Sequence, residues 1–101
     1  MFVHHVFFWM KEDLTNADLK KFEKSVGTLS FIEAVNRAEV GKPATTNRPI
    51  IERSYSYSLL LMFDSLAAHD KYQVDPVHLK FVADCSNMWT KVLIYDSESF
   101  S

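Results

Sequence analysis

Three segments of this chain carry large apolar side chains at both odd and even positions, whereas a β-strand with one solvated face alternates apolar with polar residues. The segments are residues 2–10 (FVHHVFFWM), 55–64 (YSYSLLLMFD) and 88–96 (MWTKVLIYD). Each large side chain left in water forgoes about 1.5–3 kcal/mol of burial. We therefore expect both faces of a sheet built from these strands to be covered.

The remaining segments supply the helices. A capping residue, Thr15 or Asn16, precedes apolar residues with helical spacing, which predicts a first helix carrying Leu19, Phe22, Val26 and Leu29 on one face. A second helical region begins after Ser65 and is divided at Asp75-Pro76, because proline disfavours helix at the preceding residue and suits the first turn of a new one.

Residues 34–41 alternate weakly and predict a further strand, and residues 42–54 contain two prolines and predict a long loop. The order is thus β-α-β-β-α-β, and the 101 residues suffice for one domain with one core. This order predicts an α+β, ferredoxin-like fold, in which a four-stranded antiparallel sheet has helices on one side.

Two helical segments cannot cover both faces of such a sheet. The simplest cover for the second face is an identical chain related by a twofold axis. The sequence therefore predicts an obligate homodimer whose two sheets face each other and partly close into a barrel.

Charge and cysteine content exclude several classes. The chain has 11 basic and 13 acidic residues and a net charge of -2, without the basic patch of a nucleic-acid-binding protein. No apolar run approaches the roughly 20 residues of a membrane helix, so no membrane partner is expected. A single cysteine, Cys85, indicates a reducing, cytoplasmic location and is interpreted as a small buried residue.

The run YSYSLLLMFDSLAAHDKYQVDPVHLKF and the opening VHHVFFWMK resemble the stress-responsive A/B barrel domain (Dabb) family, whose members are small dimeric α+β barrels. The most specific part of the resemblance is residues 72–78, which are similar to the family's Y-x-x-x-P-x-H element. The resemblance covers nearly the whole chain, although the loop at 42–54 is this sequence's own.

One relative type that this resemblance implies is the plant polyketide cyclase, a cofactor-free enzyme with a histidine base assisted by a tyrosine. Its catalytic pair resembles His78 and Tyr72, and its first-strand pocket histidine matches His5. Two further pocket positions differ, because Ser25 and Tyr57 stand where that type has tyrosine and histidine. Other relatives have no known activity, and some superfamily members bind haem through a histidine, for which His78 or His5 would be the ligand.

The residues themselves support a pocket near the Pro76 turn. His78 would lie in the first turn of a helix, where the helix dipole favours the neutral imidazole that acts as a base. Structural roles for His78 and Tyr72 remain the alternative. The predicted ligand-binding residues are His5, Tyr57, Phe7, Trp9, Phe81 and Trp89.

His4 and His5 are neighbours on a strand and therefore point to opposite faces. His5, in phase with Phe7 and Trp9, is the predicted pocket residue, and His69 is expected to be solvated beside charged neighbours. No histidine or cysteine spacing predicts a metal site, and no glycine-rich loop predicts a nucleotide, so we expect no cofactor.

Three functions remain open. The first is binding of a small apolar or aromatic carbonyl ligand near His78 and Tyr72. The second is cyclisation or isomerisation of such a compound, which predicts a cavity of at least about 300 Å³ reaching His78. The third is a stress-associated assembly protein, which predicts a filled interior and an exposed apolar patch at Ile50-Ile51.

Overall fold

The computed structural model describes residues 1–101 and contains four strands, three α-helices and two short 3₁₀ turns. The strands are β1 Phe2–Met10, β2 Arg37–Gly41, β3 Tyr57–Phe63 and β4 Trp89–Glu98. The helices are α1 Asn16–Gly27, α2 Leu66–Gln73 and α3 Pro76–Cys85, with 3₁₀ turns at Thr28–Phe31 and Ser86–Met88.

Each helix begins at a side chain that accepts a hydrogen bond from its first turn. Thr15 and Asp18 form the predicted capping box of α1. Ser65 accepts from the backbone of Ala68 at the start of α2, and Asp75 caps α3 with Pro76 in the first turn. The cap at Asp75, followed by Pro76, fixes the break between α2 and α3, which positions Tyr72 and His78 on either side of it.

The four strands form one antiparallel sheet in the order β2-β3-β1-β4. The two central strands are β3 and β1, and β4 pairs with β1 so that His4 lies opposite Asp96. This is the predicted ferredoxin-like arrangement. The predicted second strand is too long at its start, because residues 34–36 form a turn in which the amide of Asn36 bonds to the carbonyl of Met62.

The helices cover one face of the sheet, here called the inner face. Along β1 the even-numbered residues Phe2 to Phe8 are buried, and the odd-numbered residues are only half-buried. The core between this face and the helices is made by Phe2, Val6, Phe8, Phe22, Val26, Leu29, Ile32, Tyr57, Leu59, Leu61, Phe63, Tyr72, Phe81, Cys85 and Met88. Burial of Cys85 agrees with its predicted role as a small core residue.

The opposite, outer face is apolar and has no helix against it. Phe7 on β1 contacts the rings of Tyr55 and Tyr95, with centroid distances of 5.0 and 6.2 Å. The loop before β3 folds over one end of this face, where the indole nitrogen of Trp9 donates a hydrogen bond to Ser54. Most of the face stays open in the single chain, and Tyr95 is 61% exposed. No helix in the structure combines the length and apolarity needed to cross a bilayer.

Candidate functional site

A cavity of about 220 Å³ lies between the inner face of the sheet and the helices α2 and α3. It is mostly apolar and holds three groups capable of acid-base chemistry: His4, Tyr72 and His78. Its other lining residues are Val6, Phe8, Leu59, Gln73, Phe81, Val82, Trp89, Val92 and Ile94. Three larger clefts, near Met10, near Glu33 and near Phe100, contain no histidine.

His78 lies at the third position of α3, and Nδ1 of its ring lies 3.0 Å from the carbonyl oxygen of Gln73. A carbonyl only accepts, so Nδ1 carries a proton and the lone pair of the neutral ring is on Nε2. Burial lowers the pKa of His78 below 6.5, although the bond to Gln73 and the charge of Asp75 oppose this. His78 is therefore neutral at pH 7 and can take up a proton.

Tyr72 lies in the last turn of α2 and packs against His78, with ring centroids 4.6 Å apart. The residue is 1% exposed, and burial raises the pKa of its hydroxyl well above the usual value. The hydroxyl makes no hydrogen bond within the chain, and its oxygen is not completely shielded from solvent. A protonated hydroxyl without a partner at a cavity wall is available to donate to a ligand.

His4 is the third residue of the cavity wall that is capable of acid-base chemistry. Its Nδ1 lies 2.5 Å from an oxygen of Asp96 on the adjacent strand, which orients the ring. Burial lowers the pKa of His4, and the hydrogen bond and charge of Asp96 act in the opposite direction. The same strand pairing that builds the sheet thus places an oriented imidazole beside Tyr72, at a ring distance of 6.0 Å.

The structure brings together only some of the predicted site residues. Phe81 and Trp89 line the cavity with Tyr72 and His78. The placement of His5 in this pocket is wrong, because the even-numbered residues of β1 face the helices and His4 occupies the pocket instead. Two further predicted ligand-binding residues, Phe7 and Trp9, lie on the outer face with His5.

Tyr57 points to the inner face but lies away from His78. Its hydroxyl donates a hydrogen bond to Glu23 on α1, at 2.6 Å, and the residue borders a separate cleft near Met10. Burial and the neighbouring carboxylate raise the pKa of Tyr57 to about 12. The predicted contact of Tyr57 with the ligand pocket is therefore wrong for this structure.

The expectation that His69 is solvated is also wrong. The ring packs on Phe2 and Phe63, and the residue is 9% exposed. His69 thereby approaches His4 and Asp96, and ligand atoms of the three residues lie within 4.8 Å of one another. These three residues are the ones that could hold a metal ion.

The buried histidines predict a loss of stability in acid. Burial lowers the pKa values of His4 and His78 below 6.5 in the folded chain. Between those lowered pKa values and pH 6.5, these histidines are therefore protonated in the unfolded chain but neutral in the folded chain. The contribution of these two histidines to stability is therefore fully present above pH 6.5 and is lost as the pH is lowered through this range. Urea unfolding at one protein concentration, at about pH 7.5 and about pH 5.5, measures this, and His78→Gln should reduce the difference. A free energy of unfolding that rises on acidification would contradict the prediction.

Comparison with known proteins supports the architecture. A model of the family described as Stress responsive A/B Barrel Domain matches residues 2–99. Olivetolic acid cyclase from Cannabis sativa is 27% identical over 94 residues, which are 92% of this chain and 91% of that protein.

Two solved structures have the same fold. A Dabb family protein from Mesorhizobium loti with a ferredoxin-like fold has a TM-score of 0.80 and 25% identity, covering 99% of this chain and 97% of that chain. A dimeric ferredoxin-like protein of unknown function from Thermobifida fusca has a TM-score of 0.79 and 14% identity, covering 97% and 90%.

Proposed function

The chain belongs to the stress-responsive A/B barrel domain family, and we propose that it is a homodimer that binds a small apolar or aromatic carbonyl compound and moves a proton on it. The single observation that carries this proposal is the pairing of His78 with Tyr72 in an apolar cavity. His78 offers the lone pair of Nε2 and Tyr72 offers its hydroxyl proton, and neither group is hydrogen-bonded to another residue.

The proposed step begins with the ligand carbonyl accepting a hydrogen bond from Tyr72. Nε2 of His78 takes a proton from the adjacent carbon, and the electrons of that C–H bond form a carbon–carbon double bond while charge passes to the oxygen. The Tyr72 hydroxyl stabilises the resulting enolate. The enolate then attacks a second carbonyl of the same molecule or recovers the proton at another position, which gives cyclisation or isomerisation.

The volume of the cavity limits the size of the ligand. This volume of about 220 Å³ is below the roughly 300 Å³ predicted from the sequence for a cyclising or isomerising enzyme, so that expectation of size is wrong. We therefore propose a ligand with one ring or a short apolar chain. Phe81 and Trp89 supply flat apolar walls for such a group.

The likeness to olivetolic acid cyclase supports cyclisation as the reaction class. An identity of 27% does not establish that the two proteins share a substrate. The open outer face and the dimeric relative support the homodimer. The unpaired thiol of Cys85 supports a cytoplasmic location.

Removing the Tyr72 hydroxyl provides a test. A suitable probe is phenylacetone, an aromatic ketone with acidic C–H bonds, whose exchange of hydrogen for deuterium in D₂O is followed by proton NMR. We expect the wild-type chain to accelerate exchange and Tyr72→Phe to lose about 10²–10³-fold of that acceleration, because it removes a hydrogen bond to the developing oxyanion. The melting temperature should change little, because the hydroxyl bonds to nothing within the chain.

Tyr57→Phe is the matched control, because it removes the other buried hydroxyl of the inner face at a point outside the cavity. It should keep the exchange rate. Equal losses in both variants would argue against the proposed role of Tyr72, and absence of any acceleration by the wild-type chain would refute proton transfer on this class of ketone.

A purely assembly-related function is the second candidate, and one observation favours it. Ile50 is 82% exposed on the long loop, as that function predicts. It requires that the cavity bind nothing, so line broadening of phenylacetone that depends on Phe81 and Trp89 would exclude it.

A further inference from the structure

We propose that His4, His69 and Asp96 form a zinc-binding site, called here the three-ligand cluster, in which an ion takes one ring nitrogen from each histidine and one carboxylate oxygen. The three residues lie on β1, α2 and β4, so no local sequence motif predicts the cluster. Its ligand atoms already lie within 4.8 Å of one another.

Those distances suit a tetrahedral ion. Zinc binds histidine nitrogen and carboxylate oxygen at about 2.0–2.2 Å, which separates two ligand atoms by roughly 3.4 Å around the tetrahedron. Nδ1 of His4 and the oxygen of Asp96 are now 2.5 Å apart and would separate slightly. Small side-chain rotations therefore suffice, with no movement of the backbone.

The scaffold holds two ligands rigidly. His4 and Asp96 are directly opposed residues of paired strands, so their spacing is set by the sheet. The ion would replace the proton that these two groups share, and that proton would move to Nε2 of His4. No net change in bound protons is needed at this pair.

The third ligand, His69, is oriented by polar neighbours on its own helix. Nδ1 of His69 lies 3.3 Å from Asp70, and Nε2 lies 3.0 Å from the side-chain nitrogen of Gln73. Keeping the proton on Nδ1, toward Asp70, leaves Nε2 for the ion once Gln73 turns away. A carboxylate behind a ligating histidine is the usual support of a metal-bound imidazole.

The donor set and its access select the ion. Two imidazoles and one carboxylate favour a first-row transition metal over magnesium or calcium, which take oxygen ligands. Zinc is the ion of this class whose usual coordination three protein ligands and one water complete, whereas Fe(II), which the same donor set binds, takes further ligands. The Asp96 side chain is 43% exposed, so an ion can enter from solvent, and the fourth coordination position would hold water. Three protein ligands and one open position are the pattern of a catalytic rather than a structural zinc.

Calorimetric titration of the chelator-treated 101-residue chain with Zn²⁺ alone tests the site. We expect one ion per chain. His69→Gln should weaken binding by more than the roughly 10- to 100-fold that loss of a merely supporting group costs, because a direct ligand is lost. Asp96→Asn, at a partly exposed position, is the second variant should His69→Gln fail to fold.

His5→Gln is the matched control, because it removes a histidine from the same strand on the opposite face. It should bind zinc like the wild type. In two-bond ¹H–¹⁵N spectra, the ring nitrogens of His4 and His69 should shift on adding zinc while those of His5 stay unchanged. Absence of binding, or binding that survives both His69→Gln and Asp96→Asn, would overturn the site and leave the proposal for His78 and Tyr72 untouched.

Discussion

Replacing Phe7 by aspartate is expected to separate the proposed homodimer into single chains. Phe7 lies near the middle of the outer face, among Tyr55, Tyr95 and His5. In a twofold dimer built on this face, each subunit loses ~2 kcal/mol of aromatic burial. The total of ~4 kcal/mol corresponds to about a thousandfold in the dissociation constant, before the cost of burying two carboxylates is added.

Light scattering coupled to size-exclusion chromatography at micromolar concentration measures the outcome. Tyr95→Asp should act in the same direction, and because Tyr95 is already 61% exposed in the single chain, it perturbs the fold less than Phe7→Asp. Leu79→Asp is the matched control, because this residue is 55% exposed on α3, on the other side of the sheet. If Phe7→Asp and Tyr95→Asp both fold and remain dimeric, the outer face is not the interface.

The elements that could be predicted from the sequence are those fixed by local chemistry. The start of α1 follows from the capping residues Thr15 and Asp18, and the break between α2 and α3 follows from Asp75-Pro76. These signals act through neighbours in the chain, so one sequence contains them in full. The positions of Tyr72 and His78 on either side of the break follow from the same signals.

The choice between His4 and His5 could not be made in this way. Strand β1 is apolar in both phases, so hydrophobicity does not say which face meets the helices. The prediction of His5 as the pocket residue rests on its phase with Phe7 and Trp9 and on the family resemblance, whereas the structure places all three residues on the outer face. Size at these positions marks the surface proposed for the partner subunit.

The burial of His69 did have a signal in the sequence. His69 lies three residues before Tyr72, and this spacing puts both on one face of a helix. The expectation that His69 is solvated rests on its charged neighbours Asp70 and Lys71 alone. The pairing of His4 with Asp96 had no such signal, because the register between β1 and β4 is a property of the folded sheet.

The inner cavity therefore contains two kinds of polar group. His78 and Tyr72 have an unused lone pair and an unused proton, which suits chemistry on a ligand. His4 is already bonded to Asp96 and lies beside His69, which suits ion binding. Separate substitutions can therefore separate the two proposals, because no residue of the first pair belongs to the three-ligand cluster.

Replacing His78 by glutamine is expected to abolish most of the proton transfer while the fold and dimer persist. General-base catalysis by a positioned side chain contributes about 10²–10⁴-fold, and glutamine has no basic nitrogen. Its amide can still donate to the carbonyl of Gln73, so the bond that joins α3 to the end of α2 has a replacement. The deuterium exchange of phenylacetone should fall by this factor, whereas its affinity should change little, because the apolar walls are intact.

Two comparisons make the result specific. His5→Gln makes the same chemical change on the outer face and should keep the exchange rate. His4→Gln changes the other imidazole of the cavity, so the rates of His4→Gln and His78→Gln together identify the base. A rate that survives His78→Gln and disappears in His4→Gln would transfer the role to His4, whose orientation by Asp96 would then be the decisive feature of the site.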